Sequence, residues 1–231
     1  MACVWILSRL KSGKNLINNM FDLLRFDKTS EFVVVDFETE SLCLYTPRNL
    51  PWQVGMIKFN GVSNIEEYAR FIKWHRPPNV SEGAARVTHF DPTNVEKYGV
   101  DYKEVVKTIV DWTKSAKYIL GQNFLGFDIY ILQYMYRMMG ESTDGIAEKV
   151  LDTHALAKGL KINYKYNPET MTLLGYQYTM INTIVKKVKT NLEALGREYG
   201  IEHDFSSLHD ALSDVSLNIK VWHKLKFQVD I

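Results

Sequence analysis

Val33-Val34-Val35-Asp36-Phe37-Glu38-Thr39 is the stretch on which the fold turns. Three β-branched residues in a row read as a strand buried on both faces. Side chains alternate along a strand, so Asp36 and Glu38 project together and Phe37 points the other way. Buried acids are costly unless a cation meets them. Two carboxylates converging at a strand's end suit a hard divalent cation such as magnesium. Taken alone, the pair reads equally as two solvated acids where a strand frays into a loop. The choice depends on whether further acids reach the same place.

Composition narrows the class. The 231 residues are 46% hydrophobic and 24% charged, which suits one globular domain, or one domain with an insertion. The net charge of +1 makes no overall basic field, so any nucleic-acid binding has to come from a local patch. Cys3 and Cys43 are too few for a disulfide framework or a four-thiolate zinc site, and a reducing compartment is expected. No apolar run reaches the length of a membrane span. Residues 3–7 are too short for a signal-peptide core. The expectation is a soluble, cytoplasmic protein without a membrane partner.

Along the chain, residues 1–30 read as an N-terminal extension, with a short helix or edge strand at 20–26. The strand at 32–37 is followed by a loop to Pro51. Residues 52–60 form a second strand, ended by a turn at Asn60-Gly61, and 68–75 a third, which makes an antiparallel meander. Residues 77–98 hold three prolines and read as irregular. Apolar spacing predicts helices over 100–115 and 126–139, separated by a short strand at 118–120. A strand at 150–152 leads into a helix at 153–158. Residues 161–185, rich in Tyr, Asn and Thr, read as an insertion. Helices follow at 190–199, closed by Gly200, and at 207–227, capped by Ser206 or Ser207. The pattern argues an α/β fold with a mixed five-stranded sheet flanked by helices.

Two later acids are candidates to join the first pair. Asp128 opens the helix after 118–120, where a carboxylate also suits the helix dipole. Asp214 lies in the last helix beside Val215, a place where aspartate is a poor helix former. Asp210 lies one turn earlier and reads equally as surface decoration. His209 sits at the helix start, five residues before Asp214.

Asp36-x-Glu38, Asn123-x-x-x-Phe127-Asp128 and His209-x-Ala211-x-x-Asp214, in that order, resemble the three motifs of the DEDDh (DnaQ-like) 3′–5′ exonuclease family of the ribonuclease H-like superfamily. The resemblance covers about residues 31–227, and His209 in place of Tyr points to its h branch. Residues 1–30 and 161–185 have no recognised counterpart. The resemblance implies a three-layer ribonuclease H-like fold. It also implies release of nucleoside 5′-monophosphates from 3′ ends with two magnesium or manganese ions.

Residue chemistry agrees with that implication. Hard cations take oxygen ligands, and Asp36, Glu38, Asp128 and Asp214 bring four negative charges to balance two divalent ions. Asp36 is expected to bridge both ions, Glu38 and Asp214 to hold the one that activates water, and Asp128 to serve the other. Histidine titrates near neutral pH, which makes His209 the candidate general base. Within the family, residues flanking the first acids line the slot for the terminal nucleotide. This nominates Phe37 and Thr39, with Asn123 orienting the site. Lys186, Lys187, Lys189 and Arg197, and the mixed Lys161, Tyr164, Lys165, Tyr166, Tyr176 and Tyr178, are candidate contacts for a single strand. The expected partner is the 3′ end of single-stranded DNA or RNA, DNA first, together with a replication or repair partner of unknown identity. The alternative is a non-catalytic nucleic-acid-binding or polymerase-associated module on the same fold. A metalloenzyme acting on a small phosphoester is a third reading.

Overall fold

The computed structural model describes residues 23–44 and 49–231. Most of the N-terminal extension therefore lies outside the described residues, and Leu24–Phe26 is a single 3-10 turn. Strand β1 is Phe32–Thr39, β2 Pro51–Phe59 and β3 Asn64–Lys73. Helices α1 (Glu82–Thr88) and α2 (Pro92–Tyr98) follow, then β4 (Val100–Asp101) and α3 (Tyr102–Ser115). The second half runs β5 (Tyr118–Gly121), α4 (Asp128–Met138), β6 (Val150–Asp152) and α5 (Thr153–Lys161). It ends with α6 (Leu173–Asn182), α7 (Leu192–Glu198) and α8 (Ala211–Leu225).

Among the described residues the sheet has six strands, in the order β4-β3-β2-β1-β5-β6, where five were expected. The extra one, β4, is two residues long and pairs with the end of β3. It escaped the sequence reading because Asp101 also caps α3, accepting from the Lys103 N–H, so strand and helix share one apolar run. The stretch read as irregular holds α1 and α2 instead. Ser81 and Asp91 cap them, and Pro92 opens α2 at the position where its missing N–H costs nothing. The last helix starts at Ala211 rather than 207, because Asp210 is its cap and Phe205–Ser207 turns as a 3-10 element first.

Alternation along β1 feeds two cores. Val33, Val35 and Phe37 pack with Val105, Ile109, Ile129 and Leu132 under α3 and α4. Phe32 and Val34 pack with Leu156, Val215 and Trp222 under α5 and α8. Continuing the alternation puts Asp36 and Glu38 on the α8 side. β1 pairs antiparallel with β2 along its whole length but parallel with β5 only through Phe32, Val33 and Val34. Its last residues therefore run past their parallel neighbour. A crevice opens there, at the carboxyl ends of β1 and β5, where ligands of α/β sheets bind. Within the 161–185 stretch, α6 packs on α5 and on the 3-10 turn Phe124–Gly126, and Tyr176 is buried with its hydroxyl donating to the Tyr164 carbonyl. That ring is core rather than a free stacking surface. Among the described residues no helix is long and apolar enough to cross a membrane.

Candidate active site

The end of β1 is built by its antiparallel register. Asp36 faces Gly55 and Glu38 faces Gln53 on β2. Those two β2 residues receive the start of α8. A Cβ at Gly55 would lie 2.4 Å from the Ala211 carbonyl carbon, so only glycine lets the helix come this close. Gln53 donates through Nε2 to Asp210 Oδ2 at 2.7 Å, while Asp210 Oδ1 caps the helix through the Ser213 N–H. The strand that carries the acids thus sits beside a strand that clamps the helix carrying the next one.

Asp214 lies in the first turn of α8, which resolves its awkward place in the sequence. Its Oδ2 accepts from the His209 backbone N–H at 3.3 Å, and His209 takes a left-handed conformation, φ 68°, to enter the helix. Its Oδ1 is buried without a hydrogen-bond partner. Glu38, His209 and Asp214 each offer a ligand atom, and those atoms lie within 4.8 Å of one another. Asp36 and Asp128 line the same cavity, of about 600 Å³, with Phe37, Thr39 and Asn123. Every residue nominated from sequence for the site thus borders one space.

Position and chemistry differ among the nominated residues. Phe37 also belongs to the core beneath α3 and α4. The Thr39 hydroxyl donates to the Ser41 carbonyl at 2.8 Å. Asn123 takes the left-handed φ of 56°, common for asparagine, and its N–H donates to Asp152.

The electrostatics is that of four acids sharing one field. Burial raises the Asp36 carboxyl well above its usual range, and the charges of Asp214 and Asp210 add to this, although its side chain reaches the cavity. Glu38 is pushed from 4.5 to about 10, first by burial, then by Asp36, Asp214, Asp128 and Asp210. Burial and the charge of Asp36 raise Asp128. Asp214 rises from 3.8 to about 7 through burial, opposed by the His209 N–H and reinforced by Asp210. No Lys or Arg among the described residues forms an ion pair with any of the four. Carboxylates packed this way call for positive charge beyond what the described residues supply. The all-oxygen set, the orphaned Asp214 Oδ1 and the adjacent imidazole fit a hard divalent cation.

Several contributors were not nominated for the site from the sequence. Asp152, fully buried at the end of β6, accepts from the N–H groups of Asn123, Leu125 and Ala155, and so shapes the loop leading to Asp128. Gln177 of α6 receives the Asp152 N–H and returns a bond to the Val150 carbonyl. Glu40 is buried under the Arg76 guanidinium and the Asn79 N–H, which hold it below its usual range against the cost of burial, and so fixes the chain leaving β1. The far wall is apolar: Ala84 and Val87 of α1, with Leu42. Val87 is 55% exposed and Leu42 86%, so both present apolar surface at the cavity. A glycine inside the β2 run was the one available hint of the close approach at Gly55.

Known proteins agree with this construction. A family model described as an exonuclease, RNase T, matches residues 33–222. The chain belongs to this exonuclease family. Its DnaQ-like, ribonuclease H-like character, implied by the three motifs, holds accordingly. No curated protein matches it in sequence. Among solved structures it is similar to Escherichia coli exonuclease I in complex with a dT13 oligonucleotide. That match is 21% identical with a TM-score of 0.64, over 87% of this chain and 42% of that one. The complex of the same enzyme with dA16 is 20% identical with a TM-score of 0.65, over 87% and 41%. The zinc-bound form of its single-stranded DNA complex is 22% identical with a TM-score of 0.65, over 87% and 41%. The chain spans about two fifths of the length of those structures.

Proposed function

We propose that this exonuclease removes nucleoside 5′-monophosphates from the 3′ end of single-stranded DNA, with Asp36, Glu38, Asp128 and Asp214 as ligands of two divalent cations and His209 as general base. The observation that carries the reading is the meeting, in one cavity with apolar side chains in its lining, of one imidazole and four carboxylates that pair with no Lys or Arg among the described residues. Asp36, on the central strand between the others, would be shared by both ions; Glu38 and Asp214 would complete one site and Asp128 the other. Magnesium or manganese, when bound, supplies electrostatic stabilisation of the attacking and leaving oxygens and of the charge on the phosphate.

The chain's own residues do the rest. His209 stands exposed at the cavity mouth, its ring beside Glu38 and Asp214, where it can take a proton from water at a ring nitrogen and pass it to solvent. The backbone bond from His209 to Asp214 Oδ2 ties the base to a ligand, so the two keep their relative position. Leu42, Ala84 and Val87 offer an apolar wall to the terminal nucleoside, and Phe37 and Thr39 border it from β1. The cavity's size falls in the range of small-ligand sites. Single-stranded DNA is favoured because the similar exonuclease I structures hold dT13 and dA16 oligonucleotides. The paucity of cysteines supports a cytoplasmic setting.

The test is an oligonucleotide labelled at either end, as DNA and as RNA, incubated with magnesium or manganese and with EDTA. The reading predicts labelled mononucleotide at once from the 3′-labelled strand, a ladder from the 5′-labelled one, faster cleavage of DNA, and none in EDTA. Release from the 5′ end, or cleavage that persists in EDTA, would overturn it.

A further inference from the structure

A second groove of about 720 Å³ begins where the catalytic cavity ends, and Gln122 and Asn123 line both. We propose that this groove is the track for the strand 5′ of the scissile phosphate, gripped through its backbone by Lys186, Lys187 and Lys189. The inference rests on the exonuclease reading above and adds to it where the remainder of the substrate lies.

Direction follows from the walls of the catalytic cavity. Leu42 and, from α1, Ala84 and Val87 give the cavity an apolar part suited to a terminal nucleoside, whereas Gln122 and Asn123 are the residues it shares with the second groove. A strand whose last nucleoside meets α1 leaves over that loop. The groove's opposite wall is the segment 188–194, with Lys189 on it. That segment is held in place from three sides. The Gln122 amide donates to the Thr190 carbonyl at 2.6 Å, the Thr190 hydroxyl meets His154 Nδ1 at 2.9 Å, and Lys161 donates to the Lys189 carbonyl at 2.5 Å. Gln122 is itself fixed by the Thr153 hydroxyl at 2.7 Å. The wall is therefore rigid and tied directly to the loop that carries Asp128.

Charge on this wall and beside it is unequally spent. Arg197 pairs with Glu193, the one carboxylate on the groove, and Lys161 pairs with Glu198. Lys189 lines the groove, and Lys186 and Lys187 immediately precede its wall in the chain; all three are exposed and form no ion pair with any described residue. Three unspent lysines within four positions stand out in a chain of net charge +1. Among the described residues no Phe, Tyr or Trp lines the groove, so it offers phosphate contacts without stacking platforms. Such a track grips without reading sequence.

The experiment uses the full chain and the triple variant Lys186→Ala/Lys187→Ala/Lys189→Ala, with Lys224→Ala as a control at an exposed, distant lysine. Binding of a phosphorothioate dT12 is followed by fluorescence anisotropy in EDTA from 50 to 300 mM salt, and cleavage of dT12 is compared with that of a dinucleotide. Each phosphate neutralised on a single strand contributes about 0.7 to the slope of log K against log salt. The triple variant is expected to lose about 2 from the wild-type slope and to weaken dT12 binding at low salt about tenfold or more. Its loss of kcat/KM on dT12 should exceed its loss on the dinucleotide by the same factor. An unchanged slope, or equal losses on dT12 and dinucleotide, would overturn the track. Failure of the wild type to cleave either substrate would instead count against the exonuclease reading, and the anisotropy result would still decide the groove.

Discussion

Removing the cations should turn the active site against the fold, in a way that pH exposes. Asp214 has its carboxyl raised from 3.8 to about 7, chiefly by burial. Between those two values the folded chain holds a proton that the unfolded chain has released. The stability linked to this proton is complete below pH 3.8 and is lost as pH rises through about 7. Once both states are ionised, the folded state carries a penalty of about 4 kcal/mol from this one group. Glu38, Asp36 and Asp128 shift in the same direction, but the acids titrate as a set and their penalties do not add. Asp214→Asn keeps the shape, keeps an acceptor for the His209 N–H and removes the charge. Melting of wild type and variant is to be followed calorimetrically in EDTA from pH 4 to 8. The variant is expected to match wild type near pH 4 and to exceed it at pH 8 by about 4 kcal/mol, on the order of 10 °C for a chain of this size. Using the difference cancels the partly buried histidines His154, His203 and His223, whose lowered pKa values pull stability the other way in both proteins. Saturating manganese should reverse the order, because only the wild type has the full ligand set. A variant no more stable than wild type at pH 8 in EDTA would refute the electrostatic argument.

Other perturbations test the construction piece by piece. Asp36→Asn should abolish cleavage in the labelled-oligonucleotide assay. His209→Ala should lower kcat by about 10²–10⁴, the range for a lost general base, while calorimetry still records manganese binding; loss of binding would make His209 a ligand instead. Gly55→Ala should cost about 1–3 kcal/mol in chemical denaturation and depress turnover as well, because the new methyl meets the Ala211 backbone and displaces the start of α8. Gln53→Ala frees the Asp210 carboxylate and should cost about 1 kcal/mol, with kcat falling more than KM rises as Asp214 loses its fixed position.

Local chemistry made parts of the structure legible and left others hidden. A dense Val run named the central strand, and apolar spacing named the helices now seen as α3, α4 and α8, because both signals lie in consecutive residues. β4 and the start of α8 were misread for one reason: Asp101 and Asp210 act as caps, and a cap in sequence is indistinguishable from a surface acid. The prolines of 77–98 concealed two short helices that Ser81 and Asp91 announced. Gln53 and Gly55 matter only through their pairing with Glu38 and Asp36, and strand register is not written in either strand alone. Asp152 was visible as an acid closing a strand, but its three backbone partners come from folding.

The account stands on carboxylates from β1, α4 and α8 sharing cations in one cavity. Anomalous scattering from a crystal soaked in manganese measures that directly. Two peaks are predicted, both within coordinating distance of Asp36, one also touching Glu38 and Asp214 and the other Asp128. A map with no peak in this cavity, or with manganese bound only elsewhere on the chain, would contradict the account.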